Sequence, residues 1–122
     1  MNLKLGNSSM ITIYHNPRCS KSRQTLDLLK TQGIEPKIEL YLDSPPSAEI
    51  LSDLLGKLGI EANQLVRKNE AYYKENLKGL ELTESQLIEA MIKNPKLIER
   101  PIVVVGDKAV LGRPPEAVLE II

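Results

Sequence analysis

Apolar and polar positions change their period several times along this chain, and each change marks an element. Met10-Ile11-Thr12-Ile13-Tyr14 is a short run of β-formers and predicts a first strand. Leu26, Leu28 and Leu29 then supply the apolar stripe of a helix from about Ser20 to Gln32, stopped by Gly33. Lys37 to Leu42 alternates apolar and other residues, which predicts a second strand. Strand, helix and strand in so short a span form a right-handed βαβ unit. Asp43-Ser44-Pro45-Pro46-Ser47 breaks the pattern and opens a helix with Ile50, Leu51, Leu54, Leu55 and Leu58 on one face, ending at Gly59. Leu65-Val66 and Ala71 to Asn76 predict two short helical turns. Thr83 with Gln86 reads as a capping box ahead of Leu87, Ile88, Met91 and Ile92, and Asn94-Pro95 closes that helix. Ile102 to Val105 is a continuous β-branched strand, Gly106-Asp107 a tight turn and Ala109-Val110-Leu111 its antiparallel partner. Pro114-Pro115 opens a last helix carrying Val118, Leu119, Ile121 and Ile122.

The order β-α-β, helices, β-β-α predicts an α/β fold: a four-stranded mixed sheet with helices on its faces. It is the order of a thioredoxin-like fold with a helical insertion between strands two and three. Residues 1–9 are polar and rich in Gly, Asn and Ser, and are expected to be a flexible extension of a single domain over residues 10–122.

Composition narrows the chemistry. Lys plus Arg and Asp plus Glu both number 16, so no sequence-wide positive field draws nucleic acid or an anionic membrane. Any anion must be held by local arginines. One cysteine and one histidine exclude an internal disulfide and a multi-thiolate zinc site, which points to a reducing compartment and to no bound metal. No stretch approaches the roughly 18 apolar residues of a membrane span, and the expected location is the cytoplasm.

The single cysteine and the single histidine share one stretch, His15-Asn16-Pro17-Arg18-Cys19-Ser20-Lys21-Ser22-Arg23, between the first strand and the first helix. A lone cysteine is commonly a small buried hydrophobe. The polar and charged neighbours of Cys19 favour a partly exposed thiolate instead, because free N–H groups and the helix dipole at a strand-to-helix turn stabilise negative charge. Lowering a thiol pKa by two units takes about 2.7 kcal/mol, within reach of a helix N-terminus and one or two cationic neighbours. His15 has two readings, support of the thiolate or a capping group at the strand end. Ser20 and Ser22 either serve the site or satisfy first-turn N–H groups.

Arg67, Arg100 and Arg113 lie at element ends far along the chain. Singly each could be a solvated or ion-paired surface residue, beside Lys68, Glu99 and Glu116 respectively. Yet Arg100 precedes Pro101 at the start of strand three and Arg113 precedes Pro114 at the end of strand four. In a thioredoxin-like sheet the start of strand three lies beside the thiol loop, and a proline there is commonly cis. Arginines converging on a thiolate would form an oxyanion site, since guanidinium forks match tetrahedral oxyanions. Three residues separate Cys19 from Arg23, too few for a cysteine phosphatase loop. Without a second thiol, any disulfide must close on another molecule, glutathione being the obvious candidate in a reducing cell.

These residues are recognisable together. The strand and loop ITIYHNPRCSKSRQTL, the LYLDSPP turn, LVRKNE around Arg67, ERPIVV around Arg100 and GRPPE around Arg113 resemble, in order, the glutaredoxin-coupled arsenate reductase family. The resemblance covers nearly all of Met10 to Ile122. It implies that Cys19 attacks arsenate, that His15 lowers its pKa, and that Arg67, Arg100 and Arg113 bind the oxyanion. It further implies no bound cofactor, glutathione as co-substrate, glutaredoxin as partner and a monomeric enzyme. Arsenate reductases of this family usually carry Cys-Gly-Thr-Ser-Arg where this chain has Cys19-Ser20-Lys21-Ser22-Arg23, and run longer past the last helix; the chain looks like a shorter subgroup. Two other functions share these features: glutathione-dependent reduction of a different substrate, and redox-sensing regulation through RNA polymerase. The regulator branch often has Cys-x-x-Cys in this loop, where Ser22 stands in place of the second cysteine.

Overall fold

A computed structural model describes residues 11–122; the proposed extension over residues 1–9 and the first residue of the predicted strand, Met10, lie outside the described residues. The described chain divides into two compact units. One holds the described residues up to Ser44 together with Arg100–Ile122, and the other holds Pro45–Glu99.

The first unit is a four-stranded mixed sheet in the order β2-β1-β3-β4, built from β1 (Ile11–Tyr14), β2 (Lys37–Glu39), β3 (Ile102–Val105) and β4 (Lys108–Leu111). β1 pairs parallel with β2 and antiparallel with β3, and β3 pairs antiparallel with β4. The helix α1 (Ser20–Thr31) makes the crossover between β1 and β2. This is the expected thioredoxin-like arrangement, βαβ then ββ and a terminal helix. Ile11, Ile13, Leu29, Ile34, Val103 and Val118 form its core. At Gly106 φ is +63°, the positive value that the first central residue of a two-residue β-turn requires of glycine.

Three sequence expectations change here. The second strand ends at Glu39 instead of Leu42: its partner β1 ends at Tyr14, opposite Glu39, so Leu40 has no ladder to join. The Leu40 carbonyl instead accepts turn bonds from the N–H groups of Asp43 and Ser44, and Tyr41 is buried. The terminal helix is a 3₁₀ helix, Pro115–Glu120. Its threefold period puts Pro115 and Val118 on the buried side and leaves Leu119 exposed. On α1 the buried residues are Ser22, Thr25 and Leu29, so the inner face of the helix begins with two hydroxyls.

The second unit is the helical insertion. It contains α2 (Ala48–Leu58), the single turn α3 (Ala62–Leu65), a π turn (Tyr73–Leu77), α4 (Glu84–Lys93) and a 3₁₀ turn (Pro95–Leu97). Ser47 Oγ caps α2 by accepting the Ile50 N–H, and Thr83 and Gln86 form the expected capping box on α4. Leu51, Leu54 and Leu55 are buried on α2, whereas Ile50 is exposed because it sits at the margin of their stripe. The turn predicted over Ala71 to Asn76 is a π turn that buries Leu77. Among the described residues no helix is long and apolar enough to cross a membrane.

Candidate active site

The register of the sheet assembles the site within the first unit. Tyr14, the last residue of β1, is paired with Ile102, the first of β3. The loop that leaves β1 and the Arg100-Pro101 segment that enters β3 therefore emerge at the same edge. Ile102 in turn pairs with Leu111, so the end of β4, with Gly112 and Arg113, reaches that edge as well. The peptide bonds Arg100-Pro101 and Arg113-Pro114 are both cis.

Cys19 is the N-cap residue of α1, with extended backbone (φ −96°, ψ 124°), and is partly exposed. At this position the side chain stands over the free N–H groups of the first turn, where a capping oxygen would normally sit. The thiol makes no close capping hydrogen bond of the oxygen type. Burial pushes its pKa up. The backbone N–H of Ser22, the charge of Arg100, the backbone N–H of Lys21 and a hydrogen bond from the Arg100 side chain together outweigh burial and hold it below the ordinary thiol value. Cys19 thus stands at the strand-to-helix turn where the sequence places it.

Loop shape follows from side chains that bond back to it. Asn16 Oδ1 accepts the Arg18 N–H at 3.0 Å, and the Cys19 N–H donates to the Asn16 carbonyl at 3.0 Å. The Arg23 guanidinium donates to the Pro17 carbonyl at 2.9 Å, so Arg23 acts as a strap across the loop. Arg18 and Lys21 are exposed.

His15 is buried, and its Nδ1 lies 2.6 Å from Ser22 Oγ. Ser22 Oγ also accepts the Asn16 N–H at 3.0 Å. Burial, with the charges of Arg23 and Lys30, lowers the His15 pKa from 6.5. His15 is thus a neutral group near pH 7, held to the loop through Ser22. The Ser22 hydroxyl does not satisfy a first-turn N–H group; it joins His15 to Asn16 within the site loop.

The arginines divide. The charge of Arg100 lowers the Cys19 pKa, and Arg113 donates to the Arg100 carbonyl at 3.2 Å, which joins the two arginine segments. Arg67 belongs to the insertion unit, where its guanidinium pairs with Glu70 at 3.3 Å and donates to the Lys96 carbonyl at 3.1 Å. Two residues escaped the sequence reading. Thr25 is fully buried, and its single hydroxyl proton is shared between the Lys21 carbonyl at 2.8 Å and the Gly112 carbonyl at 3.3 Å. Gly112 leaves no room for a Cβ, which would meet Thr25 Oγ1 at 2.6 Å and Pro101 Cγ at 2.9 Å. The available signal was the spacing Ser22, Thr25, Leu29, which is that of one helix face.

A thiol on a helix N-terminus with guanidinium groups alongside can attack an electrophilic centre and hold the negative oxygens around it. Comparison with known proteins gives the chain its family. Residues 14–121 match the model of the ArsC family. The Escherichia coli K12 protein YfgD, itself uncharacterised, is 56% identical over 94% of this chain and 98% of its own length. An arsenate reductase from Haemophilus influenzae is 52% identical over 92% of this chain and 98% of its own. The solved structure of an arsenate reductase from Vibrio cholerae superposes with a TM-score of 0.90 at 51% identity, covering 93% of this chain and 99% of that one. With that agreement in both sequence and fold, the chain belongs to the ArsC family.

Proposed function

We propose that this protein reduces arsenate to arsenite, with Cys19 as its nucleophile and glutathione and glutaredoxin as its source of electrons. The observation that carries the reading is the placement of Cys19 at the N-cap of α1, its thiolate favoured by the charge of Arg100, whose carbonyl accepts from Arg113. The Cys19 thiolate attacks As(V), a sulfur–arsenic bond forms, and an arsenate hydroxyl departs as water with a proton from solvent. Arg100 and Arg113 neutralise the oxygens during the attack. The thiol of glutathione then forms a disulfide with Cys19, and the electron pair of the broken sulfur–arsenic bond leaves on arsenic as arsenite. Glutaredoxin exchanges the mixed disulfide and restores the thiol. The chain holds a single cysteine and so has no resolving thiol of its own, which supports an external one. Arg67 enters as an oxyanion ligand through the family resemblance alone.

The test is arsenate-dependent NADPH oxidation coupled through glutathione, glutaredoxin and glutathione reductase, with wild type against Cys19→Ser. The expected result is a rate that Cys19→Ser abolishes. No rate above the Cys19→Ser background sinks the arsenate reading. A rate that persists with glutaredoxin omitted refutes that partner while leaving arsenate in place.

A further inference from the structure

We propose that Thr25 is a positioning residue for the Cys19 thiolate, its buried hydroxyl tying the peptide that faces the sulfur to the peptide that carries Arg113. The N–H of Ser22 and the C=O of Lys21 belong to one peptide unit. The N–H end is the third first-turn donor of α1, above which the N-cap Cys19 sits and which favours its thiolate, and the C=O end accepts the Thr25 hydroxyl at 2.8 Å. Donation to the carbonyl end polarises the unit and strengthens its N–H as a donor. The same hydroxyl reaches the Gly112 carbonyl at 3.3 Å, and that carbonyl shares its peptide unit with the Arg113 N–H.

From there the contacts close into a circuit. The Arg113 side chain donates to the Arg100 carbonyl at 3.2 Å, and the charge of Arg100 favours the Cys19 thiolate. The Gly112 N–H donates to the Pro101 carbonyl at 2.9 Å, which fixes the segments of Arg100 and Arg113 against each other. Within this circuit, Thr25 is the side chain that joins the helix to the end of β4.

A threonine bonded to the carbonyl four residues back is common in helices and by itself signifies little. Here the second bond spans 87 residues and lands where the chain has dispensed with a side chain: a Cβ at Gly112 would sit 2.6 Å from Thr25 Oγ1. The close approach places the arginine segment within one hydroxyl of the helix turn that faces the thiol.

This inference rests on the reading of Cys19 as an activated thiolate and is independent of arsenate as substrate. Cys19 is the sole thiol of the chain, so iodoacetamide alkylation against pH reports it alone. Wild type, Thr25→Val, Thr25→Ala and Thr25→Ser are compared in the full chain, with melting temperatures alongside. Thr25→Val and Thr25→Ala are expected to raise the alkylation inflection by about half a unit, which slows alkylation about threefold below the inflection, while Thr25→Ser stays at the wild-type inflection. A wild-type inflection for both hydroxyl-free variants overturns the proposal, even if they melt earlier. So does a Thr25→Ser inflection displaced as far as that of Thr25→Ala. A wild-type inflection at the ordinary thiol value of about 8.5 refutes the thiolate reading itself, and leaves Thr25 nothing to position.

Discussion

His15 Nδ1 and Ser22 Oγ, seven residues apart in sequence, lie 2.6 Å from one another in the buried side of the thiol loop. Ser22 Oγ already accepts the Asn16 N–H, so its own proton is available to Nδ1, which suits a neutral imidazole with its hydrogen on Nε2. Burial, Arg23 and Lys30 act in the same direction and depress the His15 pKa below 6.5. The unfolded chain then binds a proton that the folded chain resists. Stability from this group is complete above pH 6.5 and is lost as pH falls through the depressed value. Melting temperature measured against pH should therefore decline on acidification below about 6.5, and His15→Asn should flatten that decline. Equal slopes for the two proteins would refute it. Ser22→Ala, which strands both Nδ1 and the Asn16 N–H, should cost about 1–3 kcal/mol in urea unfolding at pH 7.

Arg100 lowers the Cys19 pKa through its charge and its hydrogen-bonding side chain. Arg100→Ala should raise the alkylation inflection of the thiol, because two of the influences that offset burial disappear. Arsenate reduction should fall by at least about tenfold, a loss of 1.4 kcal/mol in transition-state stabilisation. Arg100→Lys should recover part of the thiol shift through charge and little of the rate, since an ammonium lacks the guanidinium fork. Urea unfolding provides the control: a stability loss as large as the loss in activation free energy would make Arg100 a structural residue.

Much of this site could be read from residue order, for reasons the structure makes plain. The β-branched run Ile102 to Val105, with Gly106-Asp107 between strands, specifies a hairpin almost locally, and the Thr83 to Gln86 box specifies a helix start within four residues. Cys19 between strand and helix was equally local. Elements whose form depends on a distant partner were harder. β2 stops at Glu39 because β1 stops at Tyr14, a condition outside the Lys37 to Leu42 stretch. The terminal segment follows a threefold period that hydrophobic residues alone do not distinguish from a helical one. Thr25 and Gly112 were invisible for the same reason: a buried hydroxyl and a missing Cβ acquire meaning only when brought together from 87 residues apart.

The insertion unit offers a contrast between local and distant effects. Thr83 Oγ1 accepts the Gln86 N–H at 3.1 Å, while Gln86 Oε1 accepts the Thr83 N–H at 2.8 Å. Thr83→Ala removes the cap of α4 and should cost about 1 kcal/mol, whereas Thr83→Ser should cost only a few tenths. Urea unfolding at pH 7 measures both. A loss for Thr83→Ala no larger than that for Thr83→Ser would mean that water satisfies the first turn equally well.

Gly112→Ala adds the smallest possible side chain at the tightest approach in the first unit. Its Cβ would fall 2.6 Å from Thr25 Oγ1, 2.9 Å from Pro101 Cγ and 3.0 Å from Thr25 Cγ2. Neither neighbour can yield cheaply: Thr25 is fully buried with its hydroxyl committed to Lys21 and Gly112, and the Pro101 ring is tied to its own backbone. The strand end must move away from α1, at a cost of about 1–3 kcal/mol for overpacking. That movement carries Arg113 with it and lengthens the Thr25 to Gly112 bond. Gly112→Ala should consequently unfold at lower urea and also show a raised thiol inflection, although it touches neither Cys19 nor an arginine side chain. Pairing it with Thr25→Ala separates the two effects, since removing Oγ1 and Cγ2 relieves two of the three close approaches and leaves only Pro101 Cγ at 2.9 Å. The double variant should regain stability relative to Gly112→Ala while its thiol inflection stays high, because the hydroxyl is gone. Recovery of the inflection together with stability would mean that packing alone, without the hydroxyl, sets the state of the thiol.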